Sequence, residues 1–177
     1  SDAHGKIVLV LHAHLPFVRH PEYERFLEEN WLYEAISETY LPLLRIMRSL
    51  RDDSVPFKIA ISISPTLLSM LSDDLLQERY LTHLRRQLEL ADMELERTRG
   101  NDAEARIARM YRDMYEANRQ DFLELYAKDL CSAFLGFQKS GHLELLTTLA
   151  THAYVPAYHQ YPEALHAQVA TATALHE

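Results

Sequence analysis

The sequence predicts an α/β fold built on a parallel sheet, on three observations. The run Ile7–Leu11 is continuous in apolar residues, the pattern of a strand covered on both faces, and Phe57–Ile63 supplies a second strand. Longer segments with apolar residues at helical spacing separate them. Glycine is scarce, four in 177 residues, which suits a helix-rich chain with few tight turns. Strand–helix alternation of this kind implies parallel strands joined by right-handed crossovers.

Each element follows in order. The first strand is expected at Lys6–Leu11, buried on both faces, and ends in His12-Ala13-His14-Leu15-Pro16, where the proline cannot donate to a ladder. Phe17 to Glu29 is mixed, charged and aromatic, and reads as a loop. Ile36, Tyr40, Leu43, Leu44, Met47 and Leu50 place a helix over Leu32–Leu50, kinked by Pro42. The second strand is Phe57–Ile63. Ser64-Pro65 suits an N-cap and first helical position, and Leu67 through Leu95 trace an apolar stripe broken at Asp73-Asp74. Gly100-Asn101-Asp102 ends that stripe, with Asp102 expected to cap the next helix, which runs to Gly136 and packs antiparallel on its predecessor. Leu143–Ala150 is the third strand, and a last helix starts near Pro162. That helix carries no stop signal, so Ala174–Glu177 reads as a cut end. Three strands are too few to close a barrel, which leaves a small open sheet or part of a larger barrel.

Composition narrows the function classes. One cysteine, Cys131, excludes an internal disulfide framework and a cysteine-based zinc site. A net charge of −8 argues against nucleic-acid binding. No apolar run is long enough to span a bilayer, and no signal peptide is recognisable, so a cytoplasmic protein without a membrane partner is expected.

The chemistry concentrates at strand ends, where α/β sheets place their sites. His12 and His14 share a face if the strand extends that far, since side chains alternate with period two. His152, beyond the third strand, reaches the same rim. Such imidazoles bind zinc, hydrogen-bond sugar hydroxyls or shuttle protons; a strand-end histidine without a role is the bland alternative. Trp31 reads equally as a hydrophobic anchor for its helix or as a platform for a sugar face. Glu144 lies within a strand, where a buried carboxylate is costly, so it points to a rim or cavity and is functional, or pairs with a cation.

Two segments carry a family resemblance. His12-Ala13-His14-Leu15-Pro16-Phe17-Val18-Arg19, with Glu29-Asn30-Trp31-Leu32-Tyr33-Glu34-Ala35 after it, resembles glycoside hydrolase family 57, most closely its α-glucan branching enzymes. Ser140-Gly141-His142-Leu143-Glu144 through Thr151-His152-Ala153-Tyr154-Val155-Pro156 is similar to the family's second region, with Ala153 where glycine is common.

The resemblance implies part of a distorted (β/α)7 TIM-like barrel. Residues 1–177 would form the N-terminal portion of the catalytic domain, with a helical insertion over roughly 66–138. It implies a retaining mechanism on α-1,4-glucans, forming α-1,6 branches in glycogen- or starch-like polymers, with α-amylase or 4-α-glucanotransferase activity as alternatives. His12, His14, Trp31, Glu144 and His152 would line the sugar site, without a cofactor or metal. The nucleophilic Glu and the acid/base Asp are expected beyond residue 177, so these residues alone would be inert. From the histidines themselves, a different class also arises: a metal-dependent hydrolase or deacetylase using His12, His14 and His152.

Overall fold

The computed structural model describes residue 5 and residues 7–176, so Lys6, the expected start of the first strand, lies outside the described residues. Strands β1 (Val10–Ala13), β2 (Ile59–Ile63) and β3 (Leu143–Leu146) form a parallel sheet in the order β1-β2-β3. His12 pairs with Ser62, and Ser62 with Leu146; one step back, Val10 pairs with Ala60 and Ala60 with Glu144.

The two faces differ. Leu11, Ala13, Ile59, Ile61, Ile63, Leu143 and Leu145 pack into one core with helix residues such as Leu41, Leu44, Leu67 and Phe134. The other face carries Val10, His12, Ser62, Glu144 and Leu146, with Val10 still 55% exposed. The expectation of a first strand buried on both faces is therefore corrected, because the described helices cover one face only. The first strand also begins later than predicted, and Ile7–Leu9 before it are exposed.

The first helical region comes in three pieces: α1 (Glu29–Ala35), a π-helical turn over Ile36–Tyr40, and α2 (Leu41–Asp52). Pro42, the expected kink, sits in the first turn of α2. The Leu41 N–H reaches back to the Ile36 carbonyl, and Pro42 has no N–H to offer. The Ser37 carbonyl is thus left without an intrahelical donor. Buried Asn118 supplies one, its Nδ2 donating at 2.8 Å. A buried carbonyl without such a partner is costly, which accounts for an asparagine in the core.

Helix α3 (Pro65–Leu71) is capped by Ser64, as predicted, and α4 (Asp74–Arg97) by Asp73. Gly100 adopts φ +93° at the end of the α4 segment. Asn101, not Asp102, caps α5 (Asp102–Gln120), its Oδ1 accepting from the Glu104 N–H. Helices α4 and α5 pack as the predicted antiparallel hairpin, bridged by Arg112–Asp92 and Arg97–Glu104 ion pairs.

The single helix expected to run to Gly136 is broken. A π-helical turn over Asp121–Leu125 is followed by Ala127 and Lys128 at positive φ, and Asp129 caps a new helix, α6 (Leu130–Lys139). No glycine or proline marks that break. The third strand is shorter than predicted and ends at Leu146. A 3-10 turn at Val155–Tyr158 and α7 (Pro162–His176) complete the described chain. None of the described helices is long and apolar enough to cross a membrane.

Candidate functional site

Strands β1 and β2 each leave the sheet with alternating polar side chains, and these meet in pairs. The His12 Nδ1 lies 3.3 Å from the Ser62 Oγ, and the His14 Nδ1 lies 2.9 Å from the Ser64 Oγ. Both pairs follow from the register, which sets β1 level with β2. Ser64 is fully buried and is itself held: its Oγ contacts Thr66 Oγ1 at 3.0 Å, and Thr66 Oγ1 donates to the Leu15 carbonyl. The residue that caps α3 therefore also fixes the His14 ring.

His152 arrives from the turn after β3. Its ring centroid is 4.3 Å from that of His14, at an interplanar angle of 22°, and 5.0 Å from that of His12. The His12 and His14 centroids are 6.2 Å apart. The backbone of His152 has φ +54°, in the left-handed region that a residue with a β-carbon enters at a cost of about 1–2 kcal/mol. Its N–H donates to the Leu149 carbonyl, closing the turn. Burial, and then the neighbouring imidazoles of His152 and His12, hold His14 below the usual histidine range.

Of the five residues expected at the site, the structure brings these three together. The interplanar angles are 22° for His12–His14 and 43° for His12–His152, so the rings stack or tilt against one another. Among the described residues, no group of three or more His, Cys, Asp or Glu side chains is arranged to hold a metal ion. The metal-dependent reading gains no support.

Glu144 is exposed: its strand face is uncovered and the carboxylate meets solvent, so it carries no burial cost. It shares that face with His12 and Ser62, one side-chain repeat further down the sheet. Trp31 lies in the first turn of α1 and is 49% exposed; it does not anchor its helix, a task that falls to Leu32, 1% exposed. Among the described residues no ring stacking joins Trp31 to the imidazoles.

The loop leading to Trp31 is pinned from α4. Arg79 donates to the carbonyls of His20 and Tyr23 and pairs with the buried Glu29, which also accepts from the Tyr33 hydroxyl at 2.9 Å. Sequence reasoning missed this pair, reading Glu29 as the last residue of a polar loop. It also missed Ser62, Ser64 and Thr66, although their fixed offset from His12 and His14 across two paired strands was a usable signal.

Comparison with known proteins gives a consistent picture. The model of glycosyl hydrolase family 57 matches residues 8–177. The 1,4-alpha-glucan branching enzyme TK1436 of Thermococcus kodakarensis is 33% identical over 174 residues, which is 98% of this chain and 25% of that enzyme. The crystal structure of the alpha-amylase AmyC from Thermotoga maritima superposes with a TM-score of 0.90 at 42% identity, covering 98% of this chain and 33% of that one. The structure of TK1436, solved with glucose and additives, gives 0.82 at 31% identity over 96% of this chain and 30% of its own. The chain thus spans a quarter to a third of the length of these relatives. Its parallel α/β architecture is the one expected for part of a (β/α)7 barrel. By the family match, which takes in both the His12–His14 segment and the His152 turn, this chain belongs to glycosyl hydrolase family 57.

Proposed function

We propose that this chain is the sugar-binding N-terminal part of an α-1,4-glucan branching enzyme, and that His12, His14, Trp31, Glu144 and His152 line the site for the glucosyl unit at the cleaved bond. The observation that carries this reading is the convergence of three imidazoles beyond the carboxyl ends of parallel strands. With the Nδ1 of His12 and His14 held by serine hydroxyls, their Nε2 atoms are the free polar groups. Sugar hydroxyls, which donate and accept, are suitable partners. The half-exposed indole of Trp31 offers a face on which a pyranose ring can stack.

In this reading the longer polypeptide supplies a Glu nucleophile and an Asp acid/base, about 5–5.5 Å apart as in retaining enzymes. The carboxylate attacks the anomeric carbon as the glycosidic bond breaks, and the leaving 4-oxygen takes the acid's proton. A 6-hydroxyl of an acceptor glucan then displaces the carboxylate, returning its proton to the Asp, and an α-1,6 branch results. Within this chain, the hydrogen-bond partners of His12 and His14 are hydroxyls rather than carboxylates. Because the family resemblance puts both catalytic carboxylates outside these residues, the 177 residues alone are expected to be inert on amylose.

A second reading, hydrolysis without branching, draws on the 42% identity to AmyC, above the 33% to TK1436. Incubation of the full-length protein with amylose separates the two. Branching lowers the iodine stain and creates linkages that isoamylase releases, with few new reducing ends. Hydrolysis raises reducing ends and leaves nothing for isoamylase. Turnover of amylose by the 177 residues alone would overturn the assignment of the catalytic pair to residues outside them.

A further inference from the structure

A cleft of about 620 Å3 opens between the segment around Phe26, helix α1 and the middle of α4. Its volume is in the range of ligand pockets, ~300–1,000 Å3. None of the five residues assigned to the sugar site lines it.

The floor is the Glu29–Arg79 pair, whose charges satisfy each other and which Tyr33 and two backbone carbonyls hold in place. Glu24, Glu34, Arg25 and Arg86 also line the cleft. Carboxylates and guanidinium groups are equal in number, so the cleft has no net charge with which to select an anion or a cation.

The wall is neutral. Asn30 and Gln87 contribute amides, each both donor and acceptor. His83 lines the same cleft, with its ring against Tyr33, 5.3 Å between centroids, and near Tyr80, 6.4 Å. Burial, and then the Arg86 charge, push its imidazole down to about 4, so it stays neutral and offers one N–H and one lone pair. Leu27 and Leu90, both more than half exposed, add apolar surface at the mouth.

Paired charges, neutral bifunctional groups and apolar edges together match a neutral, hydroxyl-rich ligand with apolar ring faces. We propose that the cleft between the Phe26 segment, α1 and α4 binds a segment of α-glucan chain through Asn30, His83 and Gln87. This rests on the glucan-directed function proposed above.

Maltoheptaose added to the full-length protein tests it, with the ring-proton resonances of His83 as a local readout. The expected result is a saturable shift of those resonances. Asn30→Ala and Gln87→Ala should each weaken the affinity read from them roughly 2- to 10-fold, the worth of one hydrogen bond. Both are changes to alanine on helices, which the fold tolerates. A protein that turns over amylose but shows no His83 shift, or variants with unchanged affinity, would overturn the cleft assignment alone. A protein inert on amylose with no His83 shift would overturn the proposed function and the cleft together.

Discussion

His14 and His152 stack 4.3 Å apart and 22° from parallel, one imidazole from the end of the first strand and the other from the turn after the third. Two cations at that separation repel, so the His152 ring opposes protonation of His14. His14 is also the more buried of the two rings, and burial is the larger cause that holds it below the usual histidine range. Replacing His152 by Ala should move the His14 titration upward, towards but not reaching an ordinary histidine, since burial is the larger cause. NMR titration of the ring protons measures it. A His14 midpoint that stays put in His152→Ala would show that the stack does not hold in solution.

The backbone at His152 supplies a separate test. At φ +54°, a β-carbon is strained and a glycine is not. Both His152→Gly and His152→Ala remove the ring, so their difference isolates the backbone. The glycine variant should be more stable than the alanine variant by about 1 kcal/mol, as read from urea unfolding. An alanine variant of equal or greater stability would contradict a left-handed turn at this position.

Much of this arrangement was legible in the sequence. Ser64-Pro65 announces the start of α3, and Asp73 announces α4, because capping chemistry is local. The convergence of His12, His14 and His152 followed from strand ends in a parallel sheet. What escaped is non-local. Nothing beside Glu29 in the chain says that Arg79, fifty residues away, neutralises it. Nor does the sequence around Asn118 reveal that a π-helical turn elsewhere needs its amide. The break at Ala127-Lys128 escaped because no glycine signals its positive φ; the turn is closed by backbone hydrogen bonds from Lys128 to Phe122 and from Asp129 to Tyr126. The expected two-sided burial of the first strand failed because periodicity reports what a strand is suited to, not which of its neighbours lie within the chain.

The Glu29–Arg79 pair makes a strong prediction about stability. Glu29 is 1% exposed, so Arg79→Ala would strand a buried carboxylate. Breaking a buried pair on one side costs about 3–5 kcal/mol, whereas replacing both partners by apolar or neutral groups is often tolerated. Arg79→Ala should therefore be severely destabilised, and Glu29→Gln with Arg79→Met should recover most of the loss. Chemical unfolding of the three proteins decides it; a loss under 1 kcal/mol in Arg79→Ala would mean that Glu29 finds water.

His83 couples stability to acid. Its folded-state value of about 4 lies below the ~6.5 of an unfolded histidine, so between them the unfolded chain binds the extra proton. The contribution is complete above pH ~6.5 and declines by about 1.4 kcal/mol per pH unit as pH falls towards 4, where it levels off. Tyr33 and Tyr80 face the ring, and burial pushes both hydroxyls up, away from that window; the Arg86 charge adds to the depression of His83. His83→Gln should flatten the acid limb of the melting-temperature profile. An identical profile for the variant would assign the acid sensitivity to other groups.

Trp31 and Leu32 are adjacent on α1 and should behave in opposite ways. The indole is 49% exposed and the leucine 1%. Leu32→Ala removes a packed core side chain at a cost of about 2–5 kcal/mol. Trp31→Ala removes a half-exposed ring that lies outside the core, and should cost less than the leucine change, about 1 kcal/mol. If the indole is a sugar platform, that same variant of the full-length protein should lose glucan affinity, by roughly 5- to 100-fold for a stacking contact worth 1–3 kcal/mol. Melting temperature and amylose KM, measured on both variants, separate the roles. A Trp31→Ala protein with intact glucan binding, or with a core-like loss of stability, would remove Trp31 from the proposed site.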